Sequence, residues 1–414
     1  MKIVYYHRVA EIDNDYNKLA VTPEIFEQHI CYYKEHYNII PIDMWDSPED
    51  KEREKLIITF DDGYEDMYTN LLPIVEKYKV PVTVYISTGR IDGRSEMWCD
   101  DILRYILSEK SYPDAFDLIH ELYGYHFDTS SIDNRVQLYR SIRYIMQRVS
   151  EDDRRSILKQ LSLWSGISHE VRPNRRIMTV EQIRQLKQSS LVTIGAHTIN
   201  HPSLARYGYE EQKVEIEQSK SNLEQIIEMP VLHFSYPFGT KADYDKNSIK
   251  VLKECGFHTS VTTVLETDGI CAEDIPFQLP RHYVGNWSVE ELARHLNGTS
   301  ENNGNVRKTI EYIGSLLGDR VLFDMKYSIV IFGTGQKALH LYDELKKFGM
   351  SKRVVAYADN NQSKQNTLVN GVPVISPDKI TEWDNIRVII GSMYDKEIIP
   401  QLHEFGLDRI HLIV

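Results

Sequence analysis

The feature that most limits what this chain can fold into is a repeated alternation of short apolar runs with amphipathic stretches. The runs Ile3–Tyr6, Leu56–Phe60, Val82–Ile86, Leu191–Ile194, Leu232–Tyr236 and Thr259–Thr263 read as buried strands. Between them, Pro23–His36, Leu71–Tyr78 and Glu210–Glu228 carry apolar residues at helical spacing. Thr179 followed by Gln182 is a capping-box pattern opening another helix, just before the Leu191 run. Strand and helix in turn imply parallel strands joined by helical crossovers, an α/β fold.

Two stretches break the rhythm. Residues 98–175 are helical in period, rich in charge and Tyr, and show no clear strand, so a helical insertion over one face of the barrel is expected there. The polar run Asn297–Asn305 predicts a loop, followed by a helix over Val306–Leu317. The expected organisation is therefore a large domain over 1–297, a linker and helix over 298–326, and a small α/β module over 327–414.

Composition narrows the function classes. Asp and Glu outnumber Lys and Arg by 61 to 48, a formal net charge of −13. Nucleic acid would need a basic stripe to overcome that repulsion, and the Lys51–Lys55 run is interleaved with Glu. Cys31, Cys99, Cys255 and Cys271 form no CxxC pair, which argues against a thiolate zinc site and a disulfide framework. The start, MKIVYYHRVA, is too short in apolar length for a signal-peptide core, and no run reaches the length of a membrane span. A cytoplasmic location is expected, with peripheral membrane contact left open.

Three motifs carry chemistry, each at the end of an expected strand. In LIITFDDGYED, Asp61 and Asp62 follow an apolar strand, and Gly63 lets the chain turn. Strand C-terminal ends are where parallel α/β barrels place catalytic groups, and adjacent carboxylates point different ways. In IGAHTINHPSL, His197 and His201 stand four apart; on a helical turn both imidazoles would reach one ion. In HFSYPFGT, a strand runs into a Pro-aromatic-Gly turn able to present a backbone N–H to an oxyanion. Singly, each is more often a turn or a packing feature. Their weight comes from the combination.

That combination resembles the polysaccharide deacetylase family (carbohydrate esterase family 4, the NodB homology domain). TFDDG at Thr59–Gly63, HTINHP at His197–Pro202 and FSYPFG at Phe234–Gly239 match its first three motifs, over roughly residues 1–295. The resemblance implies a distorted (β/α) barrel that removes acetyl groups from sugars with a divalent metal, commonly zinc. It implies Asp62, His197 and His201 as metal ligands, Asp61 as general base, and the Phe238 N–H as an oxyanion donor. Two departures stand out. Ser235 occupies the place of an Arg that tethers the catalytic Asp, and Arg281 in LPRHYV is the candidate replacement. The late Leu-x-His motif with its acid His is missing; His7 in YYHRV is the candidate acid, with His282 as competitor. Trp98 and Trp287 could stack on a sugar, although packing is the commoner role of a Trp.

In the last module, Gly333, Gly335 and Ala338 form G-x-G-x-x-A after SIVIF, and Asp359 ends the next strand. This is the dinucleotide pattern in its proper context and resembles small Rossmann-like domains attached to glycan-synthesis enzymes. Nucleotide or NAD binding and a structural or oligomerising role are both consistent with it. The whole chain thus reads as a metal-dependent N-deacetylase acting on a nucleotide- or lipid-linked amino sugar for surface glycan synthesis. The rival readings are a silent sugar-binding scaffold, an O-acetyl esterase, and a bifunctional enzyme using its last module.

Overall fold

The computed structural model describes residues 1–48, 50, 52–120, 123–147, 149–265, 271–297, 328–347, 351–383, 386–390, 395–406 and 410–411. One compact unit comprises Met1–Asp101 and His169–Glu301, a second Ile102–Ser168 and Asn302–Val414.

The first unit is built on a parallel sheet. Its strands run in the order Thr259–Val261, His233–Ser235, Val192–Ala196, Val82–Ile86, Lys55–Phe60, Lys2–Tyr6 and His282–Tyr283. Asn38–Ile39 pairs with Lys55–Phe60 as a side branch. Just before the last strand, Leu279 makes a parallel bridge to Val261 at the opposite edge, so the sheet curls toward closure. This is a mixed α/β fold of the distorted-barrel type. Every strand expected from sequence is present, with ends shifted by at most two residues.

Near-continuous apolar runs are what strands covered on both faces require. Pleating sorts each run by parity. Val4, Tyr6, Ile58, Phe60, Val84, Ile86, Ile194 and Phe234 pack outward beneath the helices. Ile3, Ile57, Tyr85 and Val261 fill the interior together with Ile40, Ile42 and Leu279. In these strands the odd-numbered residues therefore face inward.

The helices follow local signals. Thr22 caps Pro23–His36 by accepting from Ile25 N, and Phe26, Ile30 and Tyr33 form its buried stripe. The Thr179–Gln182 capping box closes reciprocally at the start of Val180–Lys187. Among the described residues, no helix is long and apolar enough to cross a membrane.

The second unit corrects one expectation. Residues 102–168 are not purely helical: Ala115–His120 and Tyr123–Asp128 form an antiparallel hairpin. Phe116 and Leu118 are buried while Ile119 is exposed, a period of two masked in sequence by interleaved charges. Helices Ile132–Met146 and Glu151–Ser165 follow, capped by Ser131 and Ser150. This segment also groups with the C-terminal residues rather than with the barrel, and Tyr144 joins the core of the Ser328–Phe332 strand.

The C-terminal part of this unit has a separate six-stranded sheet. Its order is Leu368–Val369, Val372–Ile375, Val354–Ala358, Ser328–Phe332, Ile386–Ile390 and Ile410–His411, with only the first pair antiparallel. The expected linker and helix at 298–326 lie outside the described residues.

Candidate functional site

Parity places the site. His7, Asp61 and His197 are odd-numbered and lie just beyond the C-terminal ends of barrel strands, and Arg281, also odd-numbered, immediately precedes the strand His282–Tyr283 and reaches Asp61. Asp62 has the wrong parity for this. It is redirected by a left-handed backbone, φ 77°, followed by Gly63 at φ 87°. A Cβ on Gly63 would meet Ile86 Cγ2 at 2.8 Å, so glycine is needed there for space as well.

His197 and His201 meet Asp62 through a loop rather than the helical turn expected from their spacing. Thr198 (φ 63°) and His201 (φ 53°) are both left-handed, which winds the chain tightly enough to present both imidazoles. For non-glycine residues such conformations cost on the order of 1–3 kcal/mol each, and they cluster at functional sites. Asp62 Oδ1 lies 3.5 Å from His197 Nε2 and 3.3 Å from His201 Nε2. One ligand atom from each of Asp62, His197 and His201 lies within 4.8 Å of the others.

These separations suit a tetrahedral cation. Bonds of about 2.0–2.1 Å at roughly 109° put ligand atoms about 3.3–3.4 Å apart. The His197 tautomer suits it too, because Nδ1 donates to the Ser235 carbonyl at 2.6 Å and leaves the Nε2 lone pair inward. Burial would push the Asp62 carboxyl up, but the neighbouring His197 and His201 imidazoles outweigh this and hold it well below the usual carboxylate range. The carboxylate is therefore the resident form, as a ligand must be.

Asp61 is held on the other side of the same turn. Arg281 Nη1 and Nη2 donate to its two oxygens at 2.9 and 2.7 Å. The same guanidinium reaches Thr59 Oγ1, Ser235 Oγ and the Thr262 carbonyl. Arg281 itself is fully buried and lies over the Tyr5 ring. Burial raises the Asp61 pKa, but the Arg281 charge and its hydrogen bonds outweigh this and keep it below the ordinary value. Arg281 thus holds both Asp61 oxygens from the segment just before His282–Tyr283 while also donating to Ser235 Oγ. Ser235 accepts from Arg281 through its hydroxyl and from His197 through its carbonyl, joining the two halves of the site.

His7 feels the charges of Asp62, Asp61, Arg281 and His197. Burial pushes its pKa below the ordinary value, against the pull of the two carboxylates. Its Nδ1 is buried without a hydrogen-bond partner among the described residues. His282 does not share the site. It pairs in register with Val4, whose side chain packs outward, and its ring contacts His295. One residue of register separates it from Arg281, and alternation sends it to the other face.

Phe238 follows the third motif strand with φ 61°. Its ring packs edge-on to His201, centroids 4.7 Å apart, and beside Trp98 at 6.3 Å. Its carbonyl accepts from Thr263 Oγ1, and a Cβ on Gly239 would crowd Thr263 N at 2.9 Å. Trp98 is only 1% exposed, and the partly buried Trp287 packs against Tyr283 and His295.

In the C-terminal sheet, Gly333 (φ 103°) ends its strand, and Gln336 opens the helix Gln336–Lys347. Ala338 is buried, and space around Gly335 is open. Asp359 accepts from the Thr334 hydroxyl and from Asn361 N.

Sequence reasoning passed over Thr59, Ser87 and Tyr85. Ser87 Oγ donates to the His197 carbonyl, and Ser87 N to the Asp62 carbonyl. The Tyr85 ring fits only because residue 195 is glycine, where a Cβ would approach Tyr85 Cδ1 to 2.3 Å. The signal that could have found them is the inward parity they share with the motif residues.

Comparison with known proteins agrees with the motif reading. Residues 49–115 and 165–260 match the family model described as "Polysaccharide deacetylase". Residues 325–413 match the model described as "C2185-like, N-terminal". The gap in the first match spans most of residues 102–168. Among solved structures, the Streptococcus pyogenes deacetylase PplD is 18% identical, covering 71% of this chain and 97% of that chain, with a TM-score of 0.45. A polysaccharide deacetylase from Bacillus cereus is 18% identical over 71% and 68%, with a TM-score of 0.44. IcaB from Ammonifex degensii is 14% identical over 68% and 91%, with a TM-score of 0.43. A comparison with curated proteins finds no match.

Proposed function

We propose, from the premise that the first unit carries a polysaccharide deacetylase domain, that this chain is a metal-dependent amidohydrolase removing the N-acetyl group of an amino sugar. The observation that carries the reading is the juxtaposition of Asp62, His197 and His201 with a second carboxylate, Asp61, locked by Arg281. A cation held by those three groups, zinc in the first instance, would acidify water and polarise the acetyl carbonyl.

The chain's own residues then divide the work. Asp61, ionised and fixed by two hydrogen bonds, takes a proton from the attacking water. The Phe238 N–H, on the turn that continues into Gly239, would donate to the developing oxyanion. His7, whose pKa burial pushes below the ordinary value, would relay to the departing nitrogen the proton that Asp61 takes from the attacking water. A nucleotide- or lipid-linked amino sugar in surface glycan synthesis, reached from the cytoplasmic side, is the substrate class we favour. The Gly333–Gly335 turn with Asp359 would be where a nucleotide meets the second unit.

Arg281→Gln is expected to lower kcat about 10–100-fold, in line with loss of an outer partner of a site residue. Asp61 would then feel burial without the opposing charge, so its pKa rises. Because the carboxylate is the active form, the acid limb of the kcat profile should move to higher pH. A pH–rate profile with an unmoved acid limb would contradict the tethering role.

The overall reading is tested by acetate release from N-acetylglucosamine conjugates, using the zinc- or cobalt-loaded full chain. Acetate from the amide substrate is expected. Release only from an O-acetylated glycan would replace the amidase reading with an esterase, and no release from either would overturn both.

A further inference from the structure

The loop 197–201 must hold two left-handed residues and two imidazoles in one arrangement, so its backbone partners matter. Most come from neighbours already at the rim. His197 N–H donates to the Ile86 carbonyl, and the His197 carbonyl accepts from Ser87 Oγ. The Thr198 and Ile199 carbonyls accept from Thr88 N and Gly89 N. His201 N–H donates to Thr198 Oγ1 at 3.0 Å.

The N–H groups of Ile199 and Asn200, at the tip, have a different acceptor. Both donate to one oxygen of Glu215, Oε2, at 2.9 Å each. Asn200 Nδ2 donates to the other oxygen, Oε1, at 2.8 Å. Glu215 projects from the middle of the helix Tyr209–Ile227 and is only 7% exposed. Successive backbone N–H groups converging on one anion form a concavity that favours negative charge. On the opposite side of the loop, a Cβ on Gly89 would meet the Ile199 carbonyl at 2.7 Å, so the loop is gripped from both sides.

We propose that Glu215 is a positioning residue for the metal centre: its carboxylate, seated in the turn between the two histidines, sets the geometry of His197 and His201 and so the affinity for the cation. The inference rests on the metal reading above. It assigns to a residue outside the three motifs a share of the metal affinity, acting through the backbone of the ligand loop. Neutralising the carboxylate leaves one acceptor where three donors converge, and turns an amide N–H₂ toward N–H donors. The loop would then sample other arrangements in the metal-free protein, and binding would have to restore the competent one.

The test is cobalt affinity, measured by competition with a chromophoric chelator on the full chain. Wild type is compared with Glu215→Gln and, as a second variant, Asn200→Ala, which removes only the side-chain arm of the same contact. Glu215→Gln is expected to weaken cobalt binding about 10–100-fold. Saturating cobalt should restore kcat to within a few-fold, with KM for substrate unchanged. Asn200→Ala should give a smaller shift in the same direction. A Glu215→Gln protein that melts earlier yet binds cobalt like wild type would overturn the proposal and leave Glu215 a merely structural residue. Failure of wild type itself to bind cobalt would instead remove the metal reading on which the proposal rests.

Discussion

Asp61→Asn is expected to reduce acetate release about 10²–10⁴-fold while cobalt still binds. The substitution removes the carboxylate that accepts the proton from water and leaves Asp62, His197 and His201 in place. It also leaves the Arg281 guanidinium, fully buried, without its counter-charge. Breaking a buried pair on one side costs about 3–5 kcal/mol, so stability must be followed in parallel. The comparison is therefore of kcat on folded protein, with circular dichroism and cobalt titration as controls. Retention of more than about a tenth of wild-type kcat would exclude Asp61 as the general base.

The second large effect is expected at His197. His197→Ala removes one of the three candidate ligands and also the bond from Nδ1 to the Ser235 carbonyl. Structural zinc sites bind with roughly 10–16 kcal/mol over four ligands, about 2.5–4 kcal/mol per ligand, or roughly 10²–10³-fold in affinity. Acetate release at micromolar metal should therefore fall to background, and chelation of wild type should do the same. Zinc or cobalt should restore the chelated wild type but not His197→Ala at equal concentration. Competition titration gives the affinities directly. Equal affinity in the two proteins would show that His197 is no ligand.

Much of the barrel was legible because its strands are covered on both faces. Such strands appear as unbroken apolar runs, and the motif residues fall at their ends. The same alternation that makes Arg281 face Asp61 sends His282 outward, so strand register could have separated those two candidates from sequence. Other features had no such signature. The Ala115–Asp128 hairpin hides its period under charged residues and read as helix. The HxxxH spacing suggests a helical turn, whereas the structure uses left-handed Thr198 and His201, a choice made by tertiary contacts with Ser87, Thr88 and Glu215. Glu215 itself sits in an ordinary amphipathic helix, where a Glu reads as a solvated face. Only the fold brings it under the loop.

The strain at the site has a consistent physical meaning. Asp62, Thr198, His201 and Phe238 are all left-handed non-glycine residues, and all lie on the three loops around the candidate cation. Their cost is offset by surrounding hydrogen bonds, which fix the candidate ligand atoms in one arrangement. Preorganisation of this kind lowers the reorganisation needed during the reaction.

The most direct measurement is anomalous diffraction at the zinc absorption edge from crystals of the zinc-loaded chain. One strong peak is expected, about 2.0–2.2 Å from a carboxylate oxygen of Asp62 and from Nε2 of His197 and His201. A peak elsewhere with these three side chains unliganded, or stoichiometric zinc-loaded protein with no peak among them, would contradict it.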